Sequence, residues 1–213
     1  WKLSNDIFKE KIYSLLSVFT LSGIYYYNFT SPEFNVNVSQ IPFWAMSVYY
    51  FWKGINSKSK INWILFGIFS ALGFLSKYLF IYILASLFIY FVFNIKKYKK
   101  FIPHYFLSVI ITLIILIPHI IWLFENNFAT ILYGMNRSSL SEAEFINHLI
   151  NPIFFFIKQV VILIPFFIMI LILLKKYKMK LSVKSRQSLF LIFVTIVPIL
   201  LVIITSIVTG AKI

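Results

Sequence analysis

The stretch INWILFGIFSALGFLSKYLFIYILASLFIYFVFNI, residues 61–95, decides the fold. It is almost wholly apolar, and its one charged residue, Lys77, stands near its centre. As a single helix it would be roughly 52 Å long, far more than a hydrocarbon layer of about 30 Å can hold. Two crossings fit, with a break near Gly73 and Ser76-Lys77. Charge leads to the same answer independently. Lys53, Lys58 and Lys60 precede the stretch, and Lys96, Lys97, Lys99 and Lys100 follow it. The positive-inside rule places both clusters in the cytoplasm, and two cytoplasmic ends need an even number of crossings between them. Lys77 then lies in a turn on the opposite side.

Outward from this hairpin the chain alternates. Spans are read at about residues 11–29, 38–53, 61–76, 78–95, 102–124, 152–174 and 188–208, seven in all. The stretch with Lys2, Lys9 and Lys11 is cytoplasmic, as is 175–187 with its six basic residues. Residues 30–37 carry no Lys or Arg, and 125–151 holds Glu125, Glu142 and Glu144 against the one Arg137, so both are outer loops. The expected fold is an all-α, polytopic transmembrane helical bundle forming a single domain over 1–213. In the outer loop 125–151, Ser141 and Glu144 have capping-box spacing and Phe145 and Leu149 share a face, which predicts a short interfacial helix. Gly67 and Ala71, four apart, predict a close helix contact. Trp44, Trp52, Trp63 and Trp122 lie near span ends and are read as interfacial anchors.

Composition excludes other classes. The chain is 61% hydrophobic and 12% charged, where a soluble domain carries about a quarter charged residues. The net charge of +14 does not mark a nucleic-acid binder, because the basic residues sit in short loops between spans. There is no cysteine, hence no disulfide or thiolate-bound metal. The chain opens on Trp1 and closes just after a span, and is read as an internal segment of a longer protein.

Few side chains could carry chemistry. Lys77 is costly at a helix break unless it reaches water or an anion; it binds the phosphate of a membrane-borne lipid, or it snorkels. Glu33, beside Asn35 and Asn37, could position an acceptor or a cation, and the simpler reading is a solvated loop acid. His119, after Pro118, could act as acid–base or sugar contact, or bond a neighbouring helix. Arg137 could pair with a phosphate or with Glu142 or Glu144. Lys158 in the sixth span snorkels or forms a second anion contact. No span holds an acid, which argues against an ion-coupled transporter.

The runs SPEFNVNVSQIPFWAMSVYYFWKGI, WILFGIFSALGFLSKYLFIYILASLFIYFVF and IPHIIWLFENNFATILYGMNR resemble the bacterial family 39 glycosyltransferases. These are kin to dolichyl-phosphate-mannose-protein mannosyltransferases and lipid A aminoarabinose transferases. The resemblance is strongest over 11–140. It implies a GT-C architecture with an active site on the non-cytoplasmic face, in a cell-envelope membrane such as the bacterial inner membrane. The implied activity is inverting transfer of a sugar from a polyprenyl-phosphate donor to a hydroxyl of a lipid, glycan or protein. It assigns a donor-phosphate contact to Lys77 and, more weakly, to Tyr78, with Arg137 as a further candidate. Glu33, Asn35, Asn37 and His119 are the candidates for an acceptor or cation site. The family's acidic motif falls upstream of Trp1, so no catalytic residue is assigned. The cofactor is left open, with a divalent cation as the candidate. The alternative function is a non-enzymatic flippase or carrier of lipid phosphates.

Overall fold

The computed structural model describes residues 1–24, 32–138, 144–177 and 185–212. Among them every regular element is a helix: α1 Lys2–Phe8, α2 Lys11–Ser22, α3 Val36–Asn56, α4 Lys60–Ser76, α5 Ile81–Phe93, α6 Ile95–Tyr98, α7 Ile102–Glu125, α8 Ala129–Arg137, α9 Asn147–Tyr177 and α10 Arg186–Thr209. Short 3₁₀ turns cover Tyr78–Phe80 and Lys99–Phe101. The chain divides into two compact units, one of residues 1–33, 138–192 and 199–213, the other of 34–137 with 193–198.

Within the second unit, ring contacts fix the direction of each helix. Phe51 meets Trp63 and Phe66, and Tyr50 stacks on Phe69, so α3 and α4 are antiparallel. Trp63 meets Phe91, and a Cβ on Gly73 would meet the Phe80 ring at 2.4 Å, so α4 and α5 also run oppositely, with the reversal at Lys77. Trp63 and Phe66 meet Tyr105, and Gly67 lies against Ser108 and Ile111, so α7 runs parallel to α4. The hairpin expected for 61–95 is therefore present as two helices joined at a tight turn. One end of the unit gathers the start of α3, the Lys77 turn and the end of α7. The other end holds Lys53, Lys58, Lys60 and the run Lys96–Lys100.

Two glycines make this packing possible. At Gly67 a Cβ would stand 2.6 Å from the Ser108 carbonyl oxygen, which is backbone and cannot give way. The same close approach lets Thr112 Oγ1 donate across the helix pair to the Gly67 carbonyl at 3.0 Å. Small residues serve membrane helices because lipid supplies no hydrophobic drive for their association, so contact must come from closeness. Gly73 does the same for the turn, since only an absent side chain lets Phe80 fold back onto α4.

The core of this unit is aromatic: Phe51, Trp63, Phe80, Tyr90 and Tyr98 are all buried. Trp63 is fully buried and Trp52 nearly so, which corrects their reading as interfacial anchors. Both stand near span ends but on faces turned into the bundle, where the Trp63 ring meets Phe51, Phe66 and Phe91 edge to face. Trp122 remains exposed.

In the first unit, α1 is joined to α2 through Ser4 Oγ donating to Ser17 Oγ at 3.0 Å. Helix α9 carries an almost wholly exposed apolar surface, including Ile153, Phe154, Phe156, Val161 and Leu171. Hydrophobic side chains turned outward along a helix that long need lipid as their solvent.

Among the described residues, three helices are long and apolar enough to cross a membrane: Ile95–Glu125, Asn147–Lys176 and Arg186–Thr209. They coincide with the fifth, sixth and seventh spans read from the sequence. The apolar helices Lys11–Ser22, Lys60–Ser76 and Tyr78–Phe93 are shorter than a full crossing. In the segment 125–151, α8 occupies Ala129–Arg137, and the Ser141 capping position lies outside the described residues.

The packing at Gly67 predicts that Gly67→Val lowers stability by about 1–3 kcal/mol through overpacking against rigid backbone. Gly134→Ala in α8, where a Cβ meets nothing within 4 Å, has no such cost. Thermal unfolding of the full-length protein in detergent measures both.

Candidate functional site

Helix α4 stops at Ser76 because the next residue is extended: Lys77 has φ −163° and ψ 131°. The turn is closed by backbone alone. The Lys77 N–H donates to the Gly73 carbonyl at 3.2 Å, and the Lys77 carbonyl accepts from the Phe80 N–H at 3.0 Å. The side chain is thereby left available, and its Nζ donates to Asn37 Oδ1 at 2.6 Å. Asn37 is presented by the start of α3. There Asn35 is the N-cap, its Oδ1 accepting from the N–H groups of Asn37 at 2.9 Å and Val38 at 3.3 Å. An ammonium has three donors, so a single bond to Asn37 leaves capacity for an anion.

Lys77 is half-buried, and that burial pushes its pKa below the ordinary lysine value. The charge of Arg137 adds to the shift. A like charge nearby makes the Lys77 ammonium costlier, and a bound anion offsets that cost.

Next to Lys77, Tyr78 turns its hydroxyl toward two partners. It lies 2.8 Å from His119 Nε2 and 2.7 Å from Thr130 Oγ1. His119 is held flat against Trp122, with ring centroids 6.0 Å apart and planes 13° from parallel. The Tyr78 ring also rests on Phe74, at 5.3 Å. Thr130 arrives by an unusual reversal after α7. Asn127 and Phe128 both adopt left-handed backbone, φ 50° and 57°, and the Phe128 N–H reaches back to the Leu123 carbonyl at 2.8 Å. For a bulky residue such as Phe128 that conformation costs about 1–2 kcal/mol. The reversal sets α8 beside the turn, with Arg137 at its exposed end and Nη1 3.4 Å from the Tyr133 hydroxyl.

The structure thus joins Lys77 to Asn37, and Tyr78 to His119, at one end of one unit. Asn35 acts there as a helix cap. Arg137 touches the group through its charge rather than by a hydrogen bond to it. Glu33 is exposed and lies outside this unit. Glu142, offered as an ion-pair partner for Arg137, lies outside the described residues. Thr130 was not legible in the sequence, because no glycine marks the left-handed reversal that delivers it. Trp122 was legible as an aromatic near a span end but not as the shelf for His119. Lys158 belongs to the other unit.

A family model described as dolichyl-phosphate-mannose-protein mannosyltransferase matches residues 1–122. The matched region contains Asn37, Lys77, Tyr78 and His119. No curated protein and no solved structure matches the chain.

Tyr78→Phe keeps the ring on Phe74 and removes only the hydroxyl between His119 and Thr130. The expected loss is about 1 kcal/mol, the net worth of a hydrogen bond. Chemical denaturation of the full-length protein measures it, with Phe74→Leu as the comparison that disturbs the ring contact instead.

Proposed function

Because the chain belongs to the dolichyl-phosphate-mannose-protein mannosyltransferase family, a family of membrane glycosyltransferases, we propose that it transfers a sugar from a polyprenyl-phosphate donor to a hydroxyl of a lipid, glycan or protein. The reaction takes place at the non-cytoplasmic end of the helices, in a cell-envelope membrane. The seven-span topology with Lys77 on the outer side belongs to this reading. It is supported by the opposed directions of α3, α4 and α5 and by the basic clusters at the far end of their unit.

The observation that carries the proposal is the polar cluster around Lys77 at the α4–α5 turn. Lys77 is held by Asn37 at 2.6 Å, opposed by the charge of Arg137, and set beside Tyr78. When the sugar leaves its donor, the bond between the anomeric carbon and the phosphate oxygen breaks, and negative charge grows on that oxygen. A fixed ammonium beside it lowers the barrier without reorganising. The acceptor oxygen forms the new bond to the anomeric carbon from the opposite face, with inversion, and its proton passes to a carboxylate. His119 and Asn37, which hydrogen-bond Tyr78 and Lys77, are the groups assigned to the sugar or its acceptor. Helix α8, with Ile131, Leu132 and Tyr133 exposed, rests on the outer membrane surface and brings Arg137 to the donor phosphate.

The test is sugar transfer by the full-length protein from a radiolabelled polyprenyl-phosphate donor. Lys77→Ala is expected to lower kcat by about 10²–10³, the cost of removing one donor to a developing oxyanion. Transfer at the wild-type rate in that variant overturns the role. Its pH dependence has a definite sign. Below its pKa Lys77 is charged and holds phosphate; above it the amine is neutral and does not. Since burial and Arg137 lower that pKa, kcat/KM falls on the alkaline side earlier than an ordinary lysine allows. Lys77→Arg, which stays charged throughout, removes that limb.

A further inference from the structure

A second basic cleft lies in the other unit, on the first turns of α9. It has a volume of about 320 Å³, and its wall includes Asn151, Phe154, Phe155 and Lys158 from the helix, with Lys212 facing them. The four helix residues are spaced by three, four and seven positions from Asn151, so they form one continuous stripe. The opposite wall is the segment that follows α10, and it is firmly built. Gly210 takes a left-handed conformation, φ 68°, that ends α10 and turns the chain. Asn151 Nδ2 donates to the Gly210 carbonyl at 2.7 Å, and His148 Nδ1 lies 2.7 Å from the Ile207 carbonyl. Ser206 Oγ donates to the Ala211 carbonyl at 2.8 Å, and the Lys212 N–H donates to the Ser138 carbonyl at 2.9 Å. Ala211 is buried, so the chain on which Lys212 stands is fixed to α9.

Depth in the membrane identifies the ligand. Between Lys158 and Lys175 the helix has no charged residue. Seventeen steps at 1.5 Å give about 26 Å, close to the hydrocarbon thickness. With Lys175 at one interface, Lys158 reaches the other, at the level of lipid headgroups. Beyond it toward the membrane interior, α9 exposes Val160, Val161, Ile164 and Ile168. A molecule that fills this cleft meets two ammonium groups and aromatic rings at its head, and a continuous apolar helix face along its tail.

We propose that the cleft binds an anionic glycerophospholipid, its phosphate between Lys158 and Lys212 and an acyl chain along α9. Two lysines converging from separate elements recognise a phosphate by charge. A zwitterionic headgroup carries its own cation into the same space and is disfavoured. The site is built from residues of the first unit and does not rest on the transfer reaction.

The experiment is native mass spectrometry of the full-length protein in detergent, titrated with phosphatidylglycerol or phosphatidylcholine. The wild type is expected to hold one phosphatidylglycerol at least tenfold more tightly than Lys158→Gln/Lys212→Gln, with no such difference for phosphatidylcholine. Lys158→Arg/Lys212→Arg keeps the binding, which separates loss of charge from loss of fold. Lys77→Ala also keeps it. Equal phosphatidylglycerol affinity in the wild type and the glutamine pair overturns the proposal. So does loss of binding in Lys77→Ala, which would assign the lipid to the other cluster. Displacement of the lipid by millimolar inorganic phosphate would make this a site for free phosphate, and overturns it as well.

Discussion

Phe80 lying over Gly73 is the contact on which the second unit depends. A helix that passes straight through this point would carry Lys77 into the middle of an apolar rod. With no side chain on Gly73, the ring of Phe80 closes onto α4 and the chain turns back within four residues. The reversal does two things at once. It gives α5 the direction that lets Phe91 and Tyr90 complete the cluster around Phe51 and Trp63. It also leaves Lys77 at the end of the bundle, where its amine can meet polar partners instead of hydrocarbon.

The group around Lys77 is built from three separate chain segments, each ordered for a local reason. Asn35 caps α3, and so presents Asn37. The backbone of the turn satisfies itself, and so frees the lysine side chain. The left-handed pair at Asn127 and Phe128 redirects the chain after α7, and so brings Thr130 to Tyr78. A cation pinned by a short neutral hydrogen bond, with a second cation near it, is pre-organised for an anion. The arrangement also explains why its pKa is lowered: the fold makes the charged form less comfortable until an anion arrives.

Helix positions were legible because their signals are local. The break at Ser76-Lys77 followed from length and from the parity of the lysine clusters, and α3 and α7 lie within a few residues of the spans read at 38–53 and 102–124. The contact at Gly67 was legible from small-residue spacing. What the sequence withheld is pairing at a distance. Lys77 and Asn37 are forty positions apart, Tyr78 and Thr130 fifty-two, and nothing in either neighbourhood names the other. The burial of Trp52 and Trp63 was missed for a related reason. A tryptophan near a span end suits an interface or a bundle core equally, and only the facing helix decides. Helix α8 was not anticipated at 129–137, because its start is set by left-handed Asn127 and Phe128 rather than by glycine or proline.

The proposed function requires Lys77 to face the side of the membrane opposite the lysines that flank its hairpin. The chain has no cysteine, so single cysteines placed in it report without background from this segment. The most direct measurement is labelling of Lys77→Cys and Lys97→Cys in the full-length protein, in sealed cells and in inverted vesicles, with a membrane-impermeant thiol reagent. Position 77 is expected to react only from the non-cytoplasmic side and position 97 only from the cytoplasm. Reaction of both positions from the same side would contradict the proposed function.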